Sequence, residues 1–263
     1  MFASSEKVKS TAKTQLKNNW VSAILVAVIF ILTLYFSVVI FEVMYSLLVG
    51  NSRSSVMGMT VCVFCTAVSL VIVFPLYQGV LRWFWFLGLD KPLHLGELFY
   101  YFSSRELFLK TMRLHILLTA RCIITATLCS VPSFFLKVFP FREFGMPDSI
   151  LSLIEKVSVV LLLIGLGVSV VILLKYFIAP MLQAVNEDAQ PEEIIVIAKQ
   201  LSLSVKTCLR FILSFVGWIL LSFLGIPLVY TVPYFFMSYA VFVRFSVTNH
   251  RYRMAEWGLP PMI

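Results

Sequence analysis

"FILSFVGWILLSFLGIPLVYTVPYFFMSYAVFV" runs from Phe211 to Val243 without a charged residue, with Arg210 before it and Arg244 behind it. As one straight helix this stretch would reach roughly 50 Å at about 1.5 Å per residue. The hydrocarbon of a bilayer is only about 30 Å thick. Gly225-Ile226-Pro227 interrupts the stretch near its centre, and proline both lacks an amide donor and clashes with the preceding helical turn. The residues therefore predict a hairpin of two short spans, about 205–224 and 228–245. Arg210 and Arg244 then lie on the same side of the membrane. Tyr230 and Tyr234 read as interfacial or packing residues.

Working outward, apolar stretches of about spanning length recur at about 21–41, 57–81, 114–136 and 157–177. Hydrophobic residues make up 60% of the 263-residue chain and charged residues 13%. A soluble domain is about half apolar and about a quarter charged. Such a chain lacks the polar surface to cover its own apolar side chains. The predicted fold class is all-α: a polytopic transmembrane helix bundle of six spans, with two cytoplasmic interfacial amphipathic segments. Residues 1–20 form a cytoplasmic amphipathic segment, 21–250 the six-helix transmembrane domain, and 251–263 a cytoplasmic tail.

The opening segment sets Val8, Ala12 and Leu16 four apart between lysines and ends at Trp20, an expected interfacial anchor; the alternative to a surface helix here is a flexible basic tail. It is polar for nearly its whole length, so the apolar run behind it reads as a retained first helix rather than a cleavable signal. Arg82–Arg113 is aromatic, mixed in charge and broken by Gly88, Pro92 and Gly96. It reads as an interfacial amphipathic segment with Leu98, Phe102 and Leu109 on one face. Pro191-Glu192-Glu193 is a helix start, because proline fits the first position and acids suit the positive end. Ile194, Ala198, Leu201, Val205 and Cys208 form the apolar stripe that follows. "FPLYQ" at 74–78 and "APMLQ" at 179–183 echo each other, each ending an inward-running span; five residues are less than a repeat requires.

The net charge is +8. With six spans, one side carries Lys7, Lys9, Lys13, Lys17, Lys91, Arg105, Lys110, Arg113, Lys199, Lys206, Arg210, Arg251 and Arg253, joined by Arg82 and Arg244. The other carries only Arg53, Lys137, Arg142 and Lys156. The excess of Lys and Arg marks the first side as cytoplasmic, with both termini there. The cations then face anionic membrane lipids, the expected partners alongside unknown proteins. A nucleic-acid role is not expected, since no basic stripe is interleaved with aromatics.

"YFIAPMLQAVNEDAQPEEIIVIAKQLS", "LSFVGWILLSFLGI" and "VPYFFMSYAVF" resemble a bacterial six-span membrane protein family catalogued as domain of unknown function 975. "AKTQLKNNW", "FPLYQGVLRWFW" and "GELFYYF" carry the resemblance into the front half. The structural motif residues are Gly217-Trp218, Gly225, Pro227 and Pro233-Tyr234. The resemblance implies a fold and a bacterial cytoplasmic membrane, and no activity. It also implies an Ile-Pro-Gly-like break in the fourth span, where this chain has "VSVVILLKY".

Catalytic signatures are sparse. The chain has no H-E-x-x-H among His94, His115 and His250, no G-x-S-x-G, no P-loop and no dinucleotide fingerprint. No Asp falls inside a span, which excludes aspartyl intramembrane proteolysis. Cys62-x-x-Cys65 lies within a span and reads as helix packing; five cysteines do not make a disulfide framework. No catalytic, cofactor or metal residues are expected. Arg121 is the one charge well inside a span. It either snorkels to lipid phosphate or, with His115 and Thr125, forms an anion or lipid-headgroup site. Lys175 should snorkel. The small pairs Gly165/Ser169 and Thr125/Cys129 suit close helix approach. The functional expectation is a non-enzymatic membrane scaffold or accessory protein acting through lipids or protein partners; the alternative is a transporter or permease for a lipid-like or anionic solute.

Overall fold

The computed structural model describes residues 5–49, 55–89, 91, 94–139, 147–201, 205–223, 225 and 227–256. The turn-rich "NSRSSVMG" at 51–58 reads from sequence as a loop; its residues 51–54 lie outside them and 55–58 belong to the start of a helix, while the centre of the connection between the third and fourth spans and the end of the C-terminal tail also lie outside them. The described elements are helical, with no strand among them. In chain order they are α1 (Ser5–Leu16), α2 (Trp20–Val49), α3 (Ser55–Leu87), a 3₁₀ helix (Leu95–Phe102), α4 (Arg105–Val138) and α5 (Asp148–Leu173). A 3₁₀ turn (Leu174–Tyr176), α6 (Ala179–Val185), α7 (Pro191–Gln200), α8 (Val205–Leu213), α9 (Val216–Ser222) and α10 (Leu228–Glu256) follow. Among the described residues, six candidate spans are long and apolar enough to cross a membrane, the last two being Val205–Ser222 and Leu228–Thr248.

The opening stretch folds as a hairpin. Gly225 adopts φ +80, a conformation that costs little only without a Cβ. Its N–H donates to the Ser222 carbonyl at 3.0 Å, and Leu228 N–H donates back to the Gly225 carbonyl at 3.1 Å. The two arms then pair in descending order. Phe211 stacks on Phe242 at 4.4 Å, Phe215 meets Phe235 edge-on at 5.3 Å, and Trp218 meets Tyr234 edge-on at 5.8 Å. The first arm is itself broken at Ser214-Phe215, between α8 and α9. Lys9 of α1 donates its ammonium to the Ser214 carbonyl at that break. Trp20, at the start of α2, meets Tyr230 edge-on at 6.1 Å. Both contacts tie the hairpin to the N-terminal elements. Pro233 does not end α10, nor do Pro75 and Pro132 end α3 and α4.

Most helices outrun the apolar windows that predicted them. α10 continues past 245 to Glu256, because "TNHRYRMAE" contains no helix breaker. α3 likewise runs to Leu87 and takes the start of the expected interfacial segment with it. Trp83, Phe84 and Trp85 are buried in the core rather than laid along a headgroup layer. The remainder divides between the 3₁₀ helix and α4. Leu98 is buried while Phe102 and Leu109 are exposed, so those three do not share a face. Ser104 starts α4, its hydroxyl accepting from Leu107 N–H at 3.2 Å.

α5 ends at Leu173 although "VSVVILLKY" has neither glycine nor proline. The cause lies downstream: Pro180 stands near the start of α6, and its ring would clash with the carbonyl four residues earlier, at Tyr176. A 3₁₀ turn takes up the misfit there. α7 begins as its residues predicted, with Pro191 in the first turn and Gln190 N–H donating to the Glu193 carboxylate at 3.1 Å. Ile194, Ala198, Leu201 and Cys208 of its stripe are buried and Val205 is half-buried.

The tightest packing gathers at one end of the bundle. There the last turns of α3, the 3₁₀ helix, the first turns of α4, α6, α7, α1 and the middle of α10 meet. Val8, Ala12 and Leu16 of α1 are buried, chiefly against α10. Over half of the most apolar window of α10 is buried (56%), against 11% for α2 and α4. The outer surfaces of α2, α4 and α5 carry exposed Leu, Ile, Val and Phe. That distribution suits a lipid solvent, where apolar side chains need no cover. α4 and α5 meet through small residues: a Cβ on Gly165 would lie 2.2 Å from the Cys129 carbonyl oxygen, and the Ser133 hydroxyl donates to the Ser158 carbonyl at 2.7 Å.

Candidate functional site: the polar end of the bundle

Three groups of polar side chains join elements at the packed end. The first centres on Arg82, on the last turns of α3. Its guanidinium pairs with Glu97 of the 3₁₀ helix at 3.4 Å and with Glu187 in the α6–α7 connection. It lies over the Tyr100 ring at 3.8 Å and the Phe86 ring at 4.8 Å. Tyr100 donates its hydroxyl to Glu187 at 2.5 Å, and Lys110 of α4 donates to the Glu187 backbone carbonyl at 3.3 Å. Lys110 also pairs with Glu106 one turn away at 2.9 Å. Arg82 is only 13% exposed, so these contacts act where water screens them little. The neighbouring Arg113–Glu192 pair, at 2.7 Å, is largely exposed and contributes little. Beside this group, burial raises the pKa of the Tyr101 phenol, and the opposing effect of Arg82 is the smaller one.

The second group is buried. Gln78 of α3 donates its side-chain amide to the Pro180 carbonyl of α6 at 2.7 Å. Its other atom, Oε1, lies 3.2 Å from His115 Nε2 of α4. Since that oxygen can only accept, we assign the proton to Nε2. Phe74 stacks on the imidazole at 4.6 Å and Tyr77 meets it edge-on at 5.7 Å. The two pentapeptides that echo in sequence are therefore neighbours in space. Gln78 and Gln183, their last residues, are both buried.

Each single change in this group leaves a buried partner unmade, a cost of about 1–3 kcal/mol. Gln78→Leu and His115→Leu should each destabilise the purified protein, whereas the double variant should lose less than their sum. The coupling should be about 0.5–3 kcal/mol in thermal unfolding. Additive losses would contradict the pairing.

The third group surrounds Arg244. Its Nη1 donates to the Gly88 carbonyl at 2.5 Å and its Nη2 to Gln15 Oε1 at 2.9 Å, while Gln15 Nε2 also donates to Gly88 at 3.1 Å. The guanidinium lies 5.7 Å from the Trp85 ring centroid. Arg244 thus joins α10 to α1 and to the end of α3. A Cβ on Gly88 would lie 1.9 Å from that guanidinium, so a larger residue there would displace the Arg244 side chain from this position.

The residues singled out from sequence fall elsewhere. Arg121 is exposed on α4, its guanidinium 5.2 Å from the Tyr176 ring centroid. Thr125 is half-buried one turn on, and His115 points into the core. No contact joins the three among the described residues. Lys175 is exposed. Gly217 has open space beside it, and Trp218, Gly225, Pro227 and Tyr234 build the hairpin. Sequence reading missed Arg82, Gln78, Glu187 and Gln15 as contact-makers. The one available signal was the paired Gln78 and Gln183.

A cavity of about 420 Å³ lies between α2 and the α9–α10 hairpin, lined by Phe30, Leu34, Phe215, Ile219, Leu228, Phe235 and their neighbours. Among the described residues, no group of three His, Cys, Asp or Glu side chains is placed to hold a metal ion.

A helical bundle with six apolar spans of membrane length among the described residues, packed about a polar end, defines a multi-pass membrane protein. The chain belongs to the family of proteins of unknown function DUF975, whose model matches residues 1–249. No curated protein and no solved structure matches it.

Proposed function

We propose that this is a non-enzymatic protein of the bacterial cytoplasmic membrane, with both termini in the cytoplasm, acting as a scaffold or accessory subunit through lipids or protein partners. The observation that carries this reading is the Arg82–Glu97–Glu187 group. Charged side chains at the packed end are spent on one another across α3, the 3₁₀ helix and the α6–α7 connection. Groups held this way make a rigid platform of helix ends rather than a set of side chains poised to react. The basic residues gathered towards that end suit the cytoplasmic leaflet, whose anionic lipids attract them.

The competing reading is movement of a lipid-like or anionic solute. Its principal residue, Arg121, is not among those lining the cavity, and it lies over Tyr176 on the bundle surface. Purification from native membrane after brief chemical cross-linking tests the choice. A protein partner or phospholipid held in fixed stoichiometry is the expected result. A chain recovered without either, which carries a solute across reconstituted vesicles, would overturn it.

A further inference from the structure

The cavity between α2 and the hairpin has a built apolar wall and a cation at its edge. Its volume falls within the roughly 300–1,000 Å³ of small-ligand pockets. Two hydroxyls reach the lining, and both turn back on their own helices: Ser222 donates to the Trp218 carbonyl at 2.8 Å and Thr231 to the Pro227 carbonyl at 2.9 Å. Hydrocarbon is what the wall offers. Leu34 and Ile219 are partly exposed, so the cavity opens sideways towards the surface that the apolar helices present. A wall of this kind holds an acyl chain and gives a polar solute nothing to bind.

Phe215 places the charge. One part of it lines the cavity, and the Lys9 ammonium lies 4.5 Å from its ring centroid. Lysine carries three N–H donors. One is used on the Ser214 carbonyl, which leaves two for an oxyanion. Lys7 lies 5.7 Å from the Phe245 ring centroid, with Lys13 exposed on the same short helix. Lys9 alone of these three is tied to a residue of the lining, so the cavity has one cation at its edge beside an apolar wall.

We propose that this cavity holds one acyl chain of an anionic phospholipid whose phosphate is bound by Lys9. The site rests on the reading that the protein acts through lipids, and it assigns that lipid a class and a place. The break at Ser214-Phe215 then has a use: it sets a helix-end carbonyl, an aromatic face and a lysine together at the mouth of an apolar slot. Half-burial of Lys9 also lowers its pKa below the usual lysine value, the expected effect of desolvation on an ammonium.

Native mass spectrometry tests it on the full chain, reconstituted with equal phosphatidylglycerol and phosphatidylcholine and then ejected into the gas phase. One retained phospholipid is expected, with phosphatidylglycerol preferred. Lys9→Gln should keep a phospholipid and lose about fivefold of that preference, the weight of one lysine near an anionic surface. Ile219→Trp should fill the slot and remove the adduct. Leu34→Trp, on the facing wall, should do the same, so a folding failure in one leaves the other to decide. An adduct unchanged in both tryptophan variants, a preference unchanged in Lys9→Gln, or a lipid-free dimer would each overturn the site. Capture of a partner protein together with an unchanged adduct would overturn the site alone and leave the accessory role standing.

Discussion

Arg82→Ala should be the most damaging single substitution at the polar end. It leaves Glu97 and Glu187 without their shared cation and removes the guanidinium from between the Tyr100 and Phe86 rings. Breaking one side of a buried ion pair costs about 3–5 kcal/mol, most of it the uncompensated charge left behind. Glu187 is a quarter exposed, so the lower half of that range is expected. The loss should appear as a fall in unfolding temperature in detergent. Glu187→Gln added to Arg82→Ala should recover part of it, because the orphaned carboxylate is gone. Arg82→Lys should recover little, since an ammonium cannot bridge two carboxylates and lie flat on a ring at once. An Arg82→Ala protein as stable as the parent would show that the group is decoration on a bundle held by apolar packing alone.

Gly79→Val should be comparably severe for a different reason. A Cβ at Gly79 would stand 2.0 Å from the Leu98 carbonyl oxygen and 2.7 Å from its carbon, both backbone atoms. No side-chain rotation relieves that contact, so α3 and the 3₁₀ helix must separate. Overpacking typically costs about 1–3 kcal/mol, and here the separation would also stretch the Arg82–Glu97 pair. Gly96→Ala, in the same 3₁₀ helix, has open space beside it and serves as the control. Expression with normal detergent stability for Gly79→Val would contradict the close approach.

Local pattern carried much of this architecture. Apolar stretches of membrane length located six helices, and the Gly225-Pro227 interruption located the reversal between the last two. Pro191 with its two acids located the start of α7. The small residues Gly165 and Cys129, read separately as places for close approach, turned out to face each other. These are features a few residues can encode by themselves.

What escaped were pairings between residues far apart in the chain. Arg82 and Arg244 looked like flanking charges, because at a helix end a cation normally reaches water or lipid phosphate. Their partners Glu187, Gly88 and Gln15 lie on other elements, and no periodicity announces them. The aromatic run at Trp83–Trp85 left belt and packing roles both open for a related reason. Tryptophans beside a charge have the composition of a membrane interface, yet α3 continues and the 3₁₀ helix and α10 close over them. The break after Leu173 was encoded by Pro180, seven residues further on. The polar end was legible only as a composition, and its connections depended on how the helices pack.

Which side the hairpin tip faces tests the six-crossing topology most directly. Phe223, beside Gly225, is 83% exposed, and Ser10 is exposed on α1. Each would be replaced by cysteine in turn, in a chain whose five native cysteines are serine, and intact cells treated with an impermeant maleimide. Six crossings with the polar end inside predict that Phe223→Cys labels in intact cells, whereas Ser10→Cys labels only after permeabilisation. Labelling of Phe223→Cys only after permeabilisation would contradict it, and would make the hairpin a re-entrant loop held on the inner side by Lys9 and Trp20.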